Sequence, residues 1–299
     1  ASSPPPPANA DGGDGGTAEP ELPGVVIMGH GLGAQKDFGL WPYAQNFTRA
    51  GMAVLAVDYR GFGGSEGAPR NHIDPRAHVE DLVSTLRYVR STGLGGRVDT
   101  GRVALWGTSM AGGHVLVAAS SLLPGDVRCV ISQAPHLDGA AASARNVKER
   151  GAWGTAQAIT LGVADLLRGW MGLEPIYVKI AGLKEELAYM RLSAPELEHY
   201  FAKHPPLLLG GWENAAPART MVKLATYSPI RSVAQVGVPV LYLAATSDEL
   251  CPVEAVRRAA AETPKAELVE LAASHFDMYL GETRQRAVAE MVAFLRKHL

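Results

Sequence analysis

The sequence predicts an α/β protein with a mostly parallel sheet and helices on both of its faces. Three observations predict it. From Val25 onward, short apolar runs alternate with stretches of helical spacing, and several of the runs end in small or polar residues before the next helix begins. The chain has 299 residues, 47% of them hydrophobic, enough for one large buried core and of a length that a single α/β domain fills. At Leu105-Trp106-Gly107-Thr108-Ser109-Met110-Ala111-Gly112-Gly113-His114 a buried-strand pattern meets four very small residues and turns directly into helix.

In order, residues 25–28 read as a strand, 41–50 as a helix, 52–57 as a strand and 78–91 as a helix. Residues 103–106, 111–122 and 127–132 continue the alternation as strand, helix, strand. Between 138 and 232 no strand signal stands out, and Ala, Leu, Trp and Tyr dominate, so this stretch reads as a helical cap inserted over the sheet. Val238-Pro239-Val240-Leu241-Tyr242-Leu243-Ala244-Ala245 resumes the strands, a helix starts near Pro252, residues 267–271 form a last strand, and residues 283–298 form a closing amphipathic helix. Residues 1–22 are rich in Pro, Gly, Ala and Asp, cannot bury a core, and read as a disordered tail ahead of a domain spanning 23–299. The tail shows no intact signal peptide; a start at Ala1 fits a processed or trimmed product.

The formal net charge of −2, with Lys and Arg scattered, leaves no basic stripe, so nucleic acid is not an expected partner. No apolar run approaches membrane-spanning length, and the expectation is a soluble, cytoplasmic protein. Cys129 and Cys251 make no disulfide framework; Cys251 reads as a packed neighbour of Asp248. Oligomeric state is open.

Ser109 is the candidate nucleophile. A sharp strand-to-helix turn lifts its hydroxyl above the sheet, and the close backbone approach there demands tiny neighbours, which Gly107, Ala111, Gly112 and Gly113 supply. Ala111 departs from the G-x-S-x-G pattern by one methyl group. A serine hydroxyl is a poor nucleophile at neutral pH and needs an imidazole to take its proton, which in turn needs a carboxylate to fix its tautomer. Asp248 just past one strand and His275 just past the last one follow Ser109 in the chain order this architecture uses. Asp138 is the runner-up acid, with Glu249 and Glu254 weaker still. The Met110 N–H, and a second N–H at Leu32 in the turn His30-Gly31-Leu32-Gly33, are expected to hold the oxyanion. His30, Trp153, Trp170 and Tyr177 are expected around a pocket for an apolar acyl group.

Gly29-His30-Gly31-Leu32-Gly33-Ala34 also fits the dinucleotide pattern G-x-G-x-x-A, and Asp58 ends the next strand. A nucleotide site needs the helix to open at the glycines, whereas here it starts only near Trp41-Pro42.

Through His30-Gly31-Leu32-Gly33, Asp58-Tyr59-Arg60-Gly61-Phe62-Gly63-Gly64-Ser65, the Ser109 elbow, Asp248 and His275-Phe276-Asp277-Met278-Tyr279, residues 24–299 resemble the α/β-hydrolase family. Within it, the chain is most similar to the dienelactone-hydrolase-like and serine-peptidase-like branches, which include esterases, thioesterases and polyketide acyltransferases. The resemblance implies that Asp58 and Arg60 brace the turn beside the active-site loop. It also implies one or two strands before the His-Gly turn, which are missing here.

The expected chemistry is cleavage of an ester or thioester through an acyl-enzyme on Ser109, with no metal or organic cofactor. Acyl transfer by the same residues is the first alternative, and a non-catalytic binding protein on the same scaffold is the second. Epoxide or haloalkane hydrolysis is disfavoured, because those relatives place a carboxylate where Ser109 stands.

Overall fold

The computed structural model describes residues 21–202 and 211–299, so the tail expected to be disordered lies almost wholly outside the described residues. Six strands form a parallel sheet: β1 (Val25–Gly29), β2 (Ala53–Ala56), β3 (Val103–Thr108), β4 (Cys129–Gln133), β8 (Val240–Ala245) and β9 (Ala266–Leu271), in spatial order β2-β1-β3-β4-β8-β9. β1, β3, β4 and β8 are buried along their whole length, as a sheet covered on both faces requires. β2 forms one edge of the described sheet.

Two apolar layers hold the helices to the sheet. On one face, Tyr43 and Phe47 of α1 (Trp41–Arg49) pack with Met291, Phe294 and Leu295 of α8 (Gly281–His298) against Val26, Met28, Ala104 and Trp106. On the other, Leu82 and Leu86 of α2 (Pro75–Gly96), Val115 and Leu116 of α3 (Met110–Ser120) and Val256 of α7 (Val253–Glu262) pack against Ile27, Leu105, Val130 and Tyr242. α2 starts earlier than its periodicity predicts, because the Asp74 carboxylate accepts the Arg76 and Ala77 N–H groups at 3.1 and 3.3 Å and so caps a turn that begins with Pro75.

The segment between β4 and β8 departs from the helical cap expected of it. It holds α4 (Gly139–Trp170), α5 (Ala194–Ala202) and α6 (Thr220–Lys223), but also a second sheet of β5 (Tyr177–Leu183), β6 (Ala188–Leu192) and β7 (Ala216–Pro217), ordered β6-β5-β7. The strands were hidden because Lys179 and Arg191 break the apolar runs and the tertiary partner of β5 is the body of the protein. Ile180 packs so closely on Gly33 that a Cβ there would lie 2.5 Å from Ile180 Cγ2. The second sheet therefore seats on the loop that follows β1.

Candidate active site

β3 runs straight into Ser109, whose φ of 56° and ψ of −121° lie outside the regions an L residue favours. The surrounding packing holds that geometry. A Cβ on Gly107 would sit 2.1 Å from the Ala111 carbonyl oxygen, and one on Gly112 would sit 2.8 Å from Pro135 Cβ. The Ser109 N–H donates to Gln133 O at 2.8 Å, and its carbonyl accepts from the His136 N–H at 2.9 Å. Ala111 is accommodated from across the sheet: a Cβ on Gly29 would come within 3.2 Å of the Ala111 methyl, so the side chain missing at Gly29 makes the room used at Ala111.

Met110 opens α3, where the first N–H groups have no acceptor within the helix and aim at the space above the sheet. The loop bearing Leu32 runs beside it. A Cβ on Gly31 would stand 3.2 Å from Ser109 Cβ and 3.6 Å from its Oγ, so a side chain there would press on the nucleophile and shift it or the loop by a few tenths of an ångström. Trp212 Nε1 donates to the Gly33 carbonyl at 2.7 Å. Downstream, the Asp58 carboxylate accepts the Lys36 N–H at 2.7 Å and the Gly64 N–H at 3.0 Å, and pairs with the Lys36 ammonium. Burial pushes the Asp58 carboxyl up, but the Lys36 contacts outweigh it and hold it below its usual value. Asp58 thus ties the loop to the turn after β2, while Arg60 turns away to Asp81 on α2, 2.7 Å from Nε.

Asp248 and His275 meet in the interior. One carboxylate oxygen of Asp248 accepts the Leu250 and Cys251 N–H groups at 2.8 and 2.7 Å, and the other lies 2.6 Å from His275 Nδ1. Both residues are buried. Burial alone would lower the imidazole's pKa, yet the Asp248 charge and hydrogen bond, helped by Cys251, raise it well above its ordinary 6.5. With Nδ1 committed to Asp248, Nε2 is the nitrogen left for Ser109. Ser109 and His275 line one small cavity of about 40 Å³ with Leu32, Phe38, Tyr200 and Tyr279. Among the described residues the Ser109 hydroxyl makes no hydrogen bond.

Asp138 has a different job. It caps α4 by accepting the Ala141 N–H at 3.0 Å, and it lies 3.6 Å from Arg258 Nη2. Glu249 and Glu254 are exposed, near Lys184 and Arg257 respectively. Asp248, Cys251 and His275 bring potential ligand atoms within 4.8 Å of one another. As a metal site the set is compromised, since both Asp248 oxygens and His275 Nδ1 already hold hydrogen bonds.

The expected pocket lining needs correction. Trp153 and Trp170 are 84% and 87% exposed, Tyr177 is 42% exposed, and none of them lines a cavity at Ser109. Helical spacing could not say which side of α4 faces the body. His30 is buried behind the loop, its Nδ1 3.1 Å from the Gly31 carbonyl and its ring 4.4 Å from that of Tyr59. A larger cavity of about 410 Å³ also opens on Ser109 and Met110, and its walls mix Met190, Leu192 and Leu250 with Arg145, Asn146 and Arg191. It is not the uniformly apolar chamber expected. Arg191 and Met190 were missed because they belong to β6, a strand the sequence did not announce.

A strand-to-helix serine, a later carboxylate and a last-strand histidine on a parallel sheet define an α/β hydrolase. A sequence profile for the family described as serine aminopeptidase, S33, matches residues 20–275, and the chain belongs to that family of α/β hydrolases. It is 32% identical over 276 residues to the quorum-quenching protein AidA of Acinetobacter baumannii strain MDR-ZJ06, covering 91% of this chain and 86% of that one. It is 28% identical to the thiohydrolase apmlB of Arthrinium phaeospermum, over 76% of this chain and 72% of that one. Its fold matches that of DcsB, solved in complex with a substrate analogue, with a TM-score of 0.77 at 23% identity and coverage of 94% and 92%.

Proposed function

We propose that this hydrolase cleaves a carboxylic ester or thioester through Ser109, His275 and Asp248. Ser109 Oγ attacks the scissile carbonyl while its proton passes to His275 Nε2, and the N–H groups of Leu32 and Met110 receive the oxyanion. His275 then gives that proton to the departing alcohol or thiol, leaving the acyl group on Ser109. Water, deprotonated by the same imidazole, releases the acid and restores the serine. Asp248 remains ionised throughout and stabilises the imidazolium.

The observation that carries this reading is the 2.6 Å contact between Asp248 and His275 Nδ1, made by an imidazole that shares a cavity with a serine held in a strained turn. A thiohydrolase among the relatives favours thioesters as well as oxygen esters. In this reading the 138–232 segment works as the cap, and its mixed wall suits an acyl substrate with polar oxygens beyond the scissile carbonyl.

A fluorophosphonate probe should label the native chain at Ser109, and Ser109→Ala should abolish labelling. Turnover on a chain-length series of nitrophenyl esters and acyl thioesters should fall with it. Labelling that persists in Ser109→Ala, or no turnover on any member of either series, overturns the reading. If product analysis with an added alcohol or amine shows the acyl group passing to it in preference to water, the activity is transfer by the same residues.

A further inference from the structure

The geometry points to a homodimer built on the outer face of α4, with the two copies of the helix packed antiparallel about a two-fold axis. α4 is broken at Gly151 (φ 68°, ψ −177°), and its second part begins immediately after. There Trp153, Ala156, Thr160, Val163, Leu167 and Trp170 recur in alternating steps of three and four, the spacing of a coiled-coil seam, and every one of them is exposed. The opposite side of the same helix is the one that packs on the protein. Ala158, Gly162 and Asp165 are buried, the Asp165 carboxylate lies 2.7 Å from Arg219 Nε, and a Cβ on Gly162 would lie 2.9 Å from Val222 Cγ1. The seam therefore has no partner within its own chain among the described residues.

Size, charge and symmetry together name the occupant. The exposed parts of the seam residues Trp153, Val163, Leu167 and Trp170 alone add to roughly 600 Å², about three-quarters of what each partner contributes to a standard stable interface. A lone monomer seldom leaves so large an apolar face open to water. The only charged residues from 151 to 173 are Asp165, already paired, and Arg168, whose Nε donates to Glu174 O at 2.7 Å. A helix that lies on a lipid surface would instead carry several Lys or Arg along its polar edge. The seam is also complementary to itself. An axis between Leu161 and Gly162 sets Trp153 against Trp170 of the partner subunit, Ala156 against Leu167 of the partner subunit, and Thr160 against Val163 of the partner subunit. Ala156 then faces the larger Leu167 and Thr160 the similarly sized Val163, each contact occurring twice about the axis, as an isologous interface requires.

Sedimentation velocity on the full chain should give a species of twice 31.6 kDa at micromolar concentration. Val163→Glu should weaken association at least ~100-fold, because it buries an unpaired carboxylate in the seam. The variant's far-ultraviolet circular dichroism and esterase turnover should be unchanged, since Val163 is exposed on the monomer and lines neither cavity at Ser109. Adding Thr160→Lys to Val163→Glu should restore the dimer, as each Lys then meets a Glu across the axis. A monomeric native chain, a monomer that binds neutral phospholipid vesicles, a dimer that survives Val163→Glu, or a Thr160→Lys/Val163→Glu protein that stays monomeric overturns the proposal.

Discussion

In the proposed mechanism Asp248 and His275 set the pH at which the hydrolase works, because only a neutral imidazole can take the serine proton. The carboxylate raises the His275 pKa above 6.5, so the imidazole stays charged to a higher pH than a free one. The acid limb of kcat/KM should therefore lie above pH 6.5, with activity lost as pH falls through it; a limb at or below that value contradicts the pairing. Asp248→Asn removes the charge while leaving burial in place. Its kcat should drop on the order of 10⁴-fold, the size found when a triad acid is neutralised, and its residual activity should show the limb moved to lower pH. Gly31→Ala tests the neighbouring loop: the new methyl would press on Ser109 Cβ at 3.2 Å, and turnover should fall ~10²- to 10³-fold as an oxyanion donor is displaced. An unchanged rate would place the oxyanion elsewhere. That Ser109, Asp248 and His275 each follow the end of a strand was legible from residue type and chain order. Trp153, Trp170 and Tyr177 were misplaced because composition does not say which way a side chain points.

Helix and strand boundaries were legible wherever local chemistry marks them. α1 carries its Pro in the first turn, and β1, β3, β4 and β8 are unbroken apolar runs. β5 and β6 were not, because their pattern makes sense only once Ile180 is seated on Gly33. Asp138 shows the same limit for a single residue: its place after a strand suits a catalytic acid, but its carboxylate caps α4. Asp138→Ala should accordingly cost about 1 kcal/mol of stability, the usual worth of such a cap, with kcat changed less than twofold. Thermal or urea unfolding together with an ester assay would read both quantities. A loss of kcat near that of Asp248→Asn would return Asp138 to the triad.

The whole molecule stores a response to acid in its buried histidines. His30, His78 and His136 are pushed down by burial to about 4, 3 and 4, and burial together with neighbouring histidines lowers His114 as well. The rings of His30, His78 and His114 gather around Tyr59, at 4.4, 4.2 and 5.9 Å from it, with His78 5.4 Å from His114. In the unfolded chain each would bind a proton near pH 6.5, whereas the folded chain refuses it until far lower. The contribution of these four histidines to stability is thus intact above pH 6.5 and is lost as pH drops toward 4, whereas His275, raised by Asp248, contributes below pH 6.5 and loses its contribution as pH rises. Urea unfolding at a series of pH values should show this decline with an uptake of more than one proton on unfolding; a flat profile between pH 6.5 and 4 would refute it.

What the sequence determined unaided was the order of strands and helices around the parallel sheet, the family, and the three residues proposed for acyl transfer. These are written in local terms: apolar runs, small residues at a tight turn, and polar groups just past strand ends. The tertiary structure alone decided that Asp248 rather than Asp138 reaches His275, that the cap carries its own sheet, that Arg145 and Arg191 line the larger cavity, and that α4 turns two tryptophans to solvent. The reason is physical: hydrogen bonding and burial depend on which surfaces meet across long stretches of chain, and hydrophobic periodicity specifies that a face exists without specifying what covers it.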